Sequence, residues 1–152
     1  MRRPAGLCRI VLILGLLAWP AGARDTHSLE TGPLHAFARQ AELADAAGFV
    51  EAVNSLRQTK KLPPRYITKK EAEALGWKPG GDLCRVAPGR TIGGDPFFNR
   101  EKRLPEKAGR RWFEADLDAQ CARRGAKRLV FSGDGLVFVT TDHYKTFLEV
   151  PK

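Results

Sequence analysis

The sequence predicts an α+β domain, with N-terminal helices packed on a C-terminal antiparallel β-sheet. Three observations carry that expectation. Apolar residues recur at helical spacing before Thr91, and runs of β-branched and aromatic residues follow it. Between two of those runs, Ser132-Gly133-Asp134-Gly135 has the composition of a tight hairpin turn.

In chain order, Phe49, Val50, Val53 and Leu56 lie on one helical stripe and predict a helix over 48–58. Lys60-Lys61-Leu62-Pro63-Pro64 ends it, because proline cannot continue the hydrogen-bond ladder. Thr68 followed by Glu71 is a capping box and Gly76 a C-terminal stop, which predicts a short helix over 69–75. Lys69 falls in its first turn, where the helix dipole disfavours a cation, so it needs full solvation or an anionic partner. Residues 78–90 are a Gly/Pro-rich connection. The segments TIGGDPFF, RRWFEADL, KRLVFSG, GLVFVTT and FLEV then predict strands. In RRWFEAD, alternation sends Trp112, Glu114 and Asp116 to one face and Phe113 and Ala115 to the other, which is the core face.

Upstream of the helices, Arg2, Arg3 and Arg9 precede the apolar run Ile10–Trp19, and Ala21-Gly22-Ala23 follows it. A charged start, an apolar centre and a small-x-small site predict a secretory signal peptide over 1–23, cut after Ala23. The run is too short to span a bilayer, which takes about 20 residues. Residues 24–47 are Ala-rich and are set apart as an N-terminal extension, either a short helix from Pro33 or a pro-segment. The domain itself is expected over 48–152. Losing the leader lowers the formal charge from +9 to +6, which still favours a polyanionic partner. Cys84 and Cys121 remain. An even count in an exported chain predicts a disulfide between them, with two unpaired buried thiols as the alternative. No Cys-x-x-Cys or histidine pair accompanies them, so the spacing is unlike a zinc site.

Glu114 on a strand, Arg124 and Arg128 before the next, and His143 in TTDHYKTF bring a carboxylate, cations and an imidazole into one small basic domain. That inventory suits phosphodiester cleavage, in which one group removes a proton, another donates one, and cations stabilise the phosphorane. Residue types and spacing alone go no further. His27 and His35 receive no role.

Four motifs add to this: LPPRYITKKEAEALGW, VAPGRTIGGDPFFNRE, LPEKAGRRWFEADL and KRLVFSGDGLVFVTTDHYKTF. From Leu62 to the C-terminus the chain resembles the barnase/binase family of secreted bacterial guanyl-preferring ribonucleases, part of the microbial ribonuclease superfamily. The resemblance implies the microbial ribonuclease fold. It implies Glu114 as the general base toward the ribose 2′-OH and His143 as the general acid toward the 5′-oxygen. RNA would be cut 3′ of guanosine to a 2′,3′-cyclic phosphate, and the two residues would exchange roles in the hydrolysis to the 3′-phosphate. Lys69, Arg124 and Arg128 match the cations on the scissile phosphate, so the partner of Lys69 would be the substrate. Phe97, Phe98, Asn99, Arg100 and Glu101 match the guanine-binding loop, and Tyr144 the aromatic beside the active site. No cofactor or metal is implied. The implied partners are RNA and a small acidic inhibitor of the barstar type. A soluble, secreted monomer, extracellular or periplasmic, is expected.

Three positions depart from the family pattern. Phe98 stands for a small polar residue. Lys102 stands for a glycine, and if that backbone requires a positive φ the lysine costs about 1 kcal/mol. Gly135 stands for a tryptophan, a change expected to remove packing near His143. The second functional reading is a basic RNA- or polyanion-binding module that kept the fold and lost activity. The intact base, acid and cations speak against it.

Overall fold

The computed structural model describes residues 32–121 and 123–152. The signal peptide expected over 1–23 and residues 24–31, including His27, lie outside the described residues. Among the described residues, no helix is long and apolar enough to cross a membrane.

Helix α1 (Pro33–Gln40) and helix α2 (Ala46–Thr59) come first. Strand β1 (Tyr66–Ile67), helix α3 (Lys69–Ala74) and a single 3-10 turn (Leu83–Arg85) follow. Then come β2 (Thr91–Phe97), β3 (Trp112–Asp116), β4 (Arg128–Ser132), β5 (Val137–Thr140) and β6 (Leu148–Glu149). The strands form one sheet in the order β1 to β6. The class is the expected α+β, with helices before a mostly antiparallel sheet. One detail differs: β1, which alternation over two residues cannot signal, joins the sheet by pairing parallel to β2.

The helix boundaries follow from their caps. Asp45 Oδ1 accepts from Gly48 N at 2.8 Å, which starts α2 at Ala46, two residues ahead of the expected start at 48. Lys60 closes it in the left-handed conformation, φ 61°. The capping box of α3 is formed in both directions: Glu71 N donates to Thr68 Oγ1 at 3.2 Å, and Thr68 N donates to Glu71 Oε2 at 2.7 Å. The hairpin turn is also as read, with Gly135 at φ +100° and its N–H on Ser132 O at 3.1 Å.

Phe113, Ala115 and Leu117 of β3 and its exit, with Leu129, Phe131, Val137 and Val139, pack against Phe49, Ala52, Val53 and Leu56 of α2. This is the main core, and the strand alternation assigned its β3 members correctly. Leu34, Ala38, Ala41 and Leu43 belong to the same core. The residues set apart as an extension over 24–47 therefore contribute, from Pro33 on, a helix that packs with α2. The reason is apolar: Leu34 and Ala38 share a helical face one turn apart. The α1–α2 link is held by Asp118, whose carboxylate accepts from Ala44 N and Asp45 N at 2.8 and 2.9 Å. Helix α3 sits apart from α1 and α2, in a smaller cluster of Ala72, Trp77, Leu83, Ala87 and Ile92. The Cys84–Cys121 disulfide is formed, and Leu83 N donates to Cys121 O at 2.9 Å beside it. Together they fasten the 3-10 turn to the β3–β4 loop.

The opposite sheet face carries Trp112, Val130 and Phe138, covered by Leu104, Phe97 and Tyr144. That cover is partial, and the polar site occupies the rest of the face. A bulge in β2 between Gly93 and Asp95 interrupts the β2–β3 register beside it. Only glycine fits at 93, because a Cβ would stand 2.6 Å from the Tyr66 ring and 2.8 Å from Ala115 Cβ.

Candidate active site

Glu114 is the middle residue of β3, and alternation points it away from the helices. It is 8% exposed. Lys69 Nζ donates to its Oε1 at 2.9 Å, and the Tyr144 hydroxyl donates to its Oε2 at 2.5 Å. Burial pushes the Glu114 carboxyl up, but the Tyr144 and Lys69 hydrogen bonds and the Lys69 and Arg128 charges outweigh it. The group is held below its ordinary value and is ionised at neutral pH. Burial and the Glu114 contact hold the Tyr144 phenol far above its ordinary value, so it remains a donor.

Lys69 is placed by two contacts. Its backbone N–H donates to the Asp95 carboxylate at 3.0 Å, and Asp95 is the β2 residue paired with Glu114. In the free protein the anionic partner that its helix position requires is therefore Glu114, which the sequence reading had assigned to substrate.

Two residues along β3, Asp116 is 1% exposed and holds both arginines. Arg124 Nε and Nη2 fork onto its two oxygens at 2.7 Å each. Arg128 Nε lies 3.0 Å from Oδ1, and Arg128 Nη1 donates to Lys127 O at 2.8 Å. Arg128 stands directly across from Asp116 in the β3–β4 register. A bidentate carboxylate fixes the plane of a guanidinium as well as its position.

His143 is exposed, on the loop after β5. Its backbone and that of Tyr144 are both left-handed, φ 58° and 71°. Asp142 holds that shape. Its Oδ1 accepts from Lys145 N and Thr146 N at 3.0 and 2.9 Å, and its Oδ2 from Thr146 Oγ1 at 2.7 Å. Thr140 Oγ1 takes the Tyr144 N–H at 3.0 Å. The His143 ring leans on Tyr144, 4.8 Å between centroids. Tyr144 thus touches both the carboxylate and the imidazole.

A cavity of about 390 Å³ opens beside this cluster. Lys69, Phe97, Phe98, Asn99, Arg100, Glu101 and Tyr144 all line it, so the loop residues expected to bind substrate share a wall with Lys69, while Glu114, Arg124, Arg128 and His143 are not part of the lining. The Phe97 ring stacks on Tyr144 at 5.2 Å. Asn99 is buried, and its side chain pairs with Leu104 in both directions at 3.0 Å, which closes the loop at its base. Lys102 has φ 53°, the left-handed backbone on which its strain was conditional. Arg103 Nε donates to Glu101 Oε2 at 2.7 Å, and Arg103 Nη1 donates to Lys145 O on the His143 loop. Gly135 does not face His143. Within 4 Å a Cβ there would meet only Lys60 Nζ, at 3.7 Å, past the end of α2.

Sequence reasoning missed Asp95, Asp116, Asp142 and Arg103. Only Asp116 carried a signal, its shared parity with Glu114.

The fold defines a microbial ribonuclease, with acid, base and cation candidates gathered on the open face of its sheet. A ribonuclease family profile matches residues 50–151. The chain is 45% identical to a ribonuclease of Bacillus intermedius over 127 residues, which is 83% of this chain and 78% of that one. It is 44% identical to a ribonuclease of Bacillus pumilus over 133 residues, covering 86% and 78%. Against a ribonuclease of Heyndrickxia coagulans it is 54% identical over 92 residues, covering 60% and 84%. The protein belongs to this ribonuclease family and is an RNA-cleaving enzyme.

Proposed function

We propose that the protein is an endoribonuclease that cuts single-stranded RNA 3′ of guanosine by transphosphorylation and then hydrolyses the product. The observation that carries this is the ionised, buried Glu114 between Lys69 and Tyr144, with two oriented arginines beside it and His143 on the adjoining loop.

In the first step Glu114 takes the proton of the ribose 2′-OH. The 2′-oxygen bonds to phosphorus, the bond from phosphorus to the 5′-oxygen breaks, and a protonated His143 gives its proton to that oxygen. The product is a 2′,3′-cyclic phosphate. In the second step His143 takes a proton from water, the water oxygen bonds to phosphorus, the bond from phosphorus to the 2′-oxygen breaks, and Glu114 returns its proton to that oxygen. Lys69, Arg124 and Arg128 stabilise the charge that gathers on the phosphoryl oxygens. A phosphate arriving at Lys69 also draws that cation from Glu114. The loss of a favourable charge raises the carboxylate's affinity for a proton, so substrate binding itself makes Glu114 a better base.

The guanine preference is assigned to the 96–103 loop. Glu101 accepts from the base N1–H and exocyclic amine, and backbone N–H groups of Phe97 to Arg100 serve O6. Reading an unstacked base edge together with the 2′-OH is the usual route to RNA specificity. Export with cleavage after Ala23, action as a monomer, and a small acidic inhibitor of the barstar type drawn to Arg100, Lys102, Arg103 and Lys145 complete the reading.

The test is cleavage of a defined RNA by the purified mature protein in EDTA, with ends mapped, against Glu114→Ala and His143→Ala. Cuts after G ending in cyclic phosphate, lost in both variants, support the reading. Cuts after every base leave the mechanism and remove the guanine assignment. Bound but uncut RNA removes both in favour of a binding module.

A further inference from the structure

Phe98 is 73% exposed, the most exposed large apolar side chain among the described residues. A single exposed apolar residue is ordinary on a protein surface and by itself points to nothing. This one lies in the wall of the cavity that holds Glu101 and Lys69. It directly follows Phe97, the last residue of β2. Phe97 turns inward, against Tyr144 at 5.2 Å and Phe147 at 6.1 Å, and closes the floor of the cavity. Phe98 turns outward to its rim. The Arg100 guanidinium stands over the Phe98 ring, 5.6 Å from its centroid. An exposed ring with a cation at its face is the arrangement by which proteins hold a single-stranded base and the phosphate beside it.

We infer that Phe98 and Arg100 form a stacking platform for a further base of the RNA, one outside the dinucleotide that spans the scissile bond. The inference rests on the cavity being the base-reading site. The Phe97 ring is packed on Tyr144 and Phe147, whereas the Phe98 ring is open to solvent and free to take a further base. The platform takes any base, since stacking uses the face of the ring rather than its hydrogen-bonding edge. It therefore adds affinity for longer RNA without changing which nucleotide is cut.

The experiment compares kcat/KM for the dinucleotide GpU with that for a pentanucleotide carrying one central guanosine, in wild type, Phe98→Ala and Phe98→Trp. The pentanucleotide-to-dinucleotide ratio is expected to fall about tenfold in Phe98→Ala, the scale of one lost base–aromatic stack. Phe98→Trp should retain it, because any flat ring serves. An unchanged ratio in Phe98→Ala overturns the proposal, whether or not overall activity falls. A tryptophan variant as impaired as the alanine one overturns it too. Equal wild-type cleavage of GpU and ApU would instead remove the guanine reading, and the length ratio would still decide the platform.

Discussion

The Tyr144 hydroxyl donates to Glu114 Oε2 at 2.5 Å, across 30 positions of chain, and its ring carries His143 against it. The residue next to the acid candidate thus fixes the proton affinity of the base candidate. Tyr144→Phe removes a hydrogen bond that lowers the Glu114 pKa. The acid limb of the kcat/KM profile should move to higher pH, and activity at pH 5 should fall more than activity at pH 7. A limb that stays where the wild type has it would exclude the hydrogen bond from control of the base.

Asp116 should matter to activity and stability together. It is buried under two guanidinium groups, so Asp116→Asn takes the counter-charge from the buried Arg128 and the half-buried Arg124. Breaking such a pair costs about 3–5 kcal/mol. A lower denaturant midpoint and a lower kcat/KM are expected in one variant. Wild-type activity from a destabilised Asp116→Asn protein would mean that the arginines need no positioning.

Arg103 is expected to set selectivity through Glu101. Arg103→Ala frees the carboxylate from its 2.7 Å contact and unties the loop from the Lys145 carbonyl. The ratio of GpU to ApU cleavage should fall several-fold, with Arg103→Lys in between. The same ratio in all three proteins would exclude the contact as a positioning device.

The disulfide closes a loop of 37 residues, worth about 4 kcal/mol in the chain-entropy account. Replacing both Cys84 and Cys121 with alanine should lower the unfolding free energy by about that amount. Reducing the wild type should do the same, and reducing the double variant should do nothing further. Unfolding curves with and without reductant measure all three.

Stability should fall in acid. In the folded protein Glu114 titrates low because hydrogen bonds from Tyr144 and Lys69 outweigh its burial, and Asp118 because Lys127 and the Ala44 and Asp45 N–H groups outweigh its own. Asp142 titrates low because Thr146 holds it from side chain and backbone. For groups whose folded pKa is depressed, stability is present above the unfolded value, about 4, and is lost as pH falls through the folded one. Thermal midpoints should therefore drop below pH 4, and Asp142→Asn should make that drop shallower. A midpoint flat from pH 5 to pH 2 would contradict these assignments.

Much of this was legible in local pattern. The alternation through RRWFEAD separated Glu114 and Asp116 from Phe113 and Ala115, because period two is a property of any strand. Thr68 and Glu71 announced the start of α3, because a cap is completed within four residues. What stayed hidden depends on register or distance. Lys69 meets Glu114 through the β2–β3 register, which pairs Asp95 with Glu114 while Asp95 accepts from the Lys69 N–H. Strand β1 has two residues, too few to show a period. Helix α1 stood open beside a pro-segment, because Leu34, Phe37 and Ala38 mark an apolar face without saying what covers it; α2 does. The positive φ at His143 and Tyr144 is imposed by Asp142, and neither residue type suggests it.

The reciprocal pair between the Asn99 amide and the Leu104 backbone has a kinetic consequence. One side chain there substitutes for a neighbouring peptide unit, so the loop is closed when the chain folds and not when a nucleotide arrives. A guest base meets a rigid receptor, and encounter is not followed by a slow ordering step. Association should then be a single phase whose rate rises linearly with RNA concentration, and freeing that one amide would turn recognition into a process with a lag.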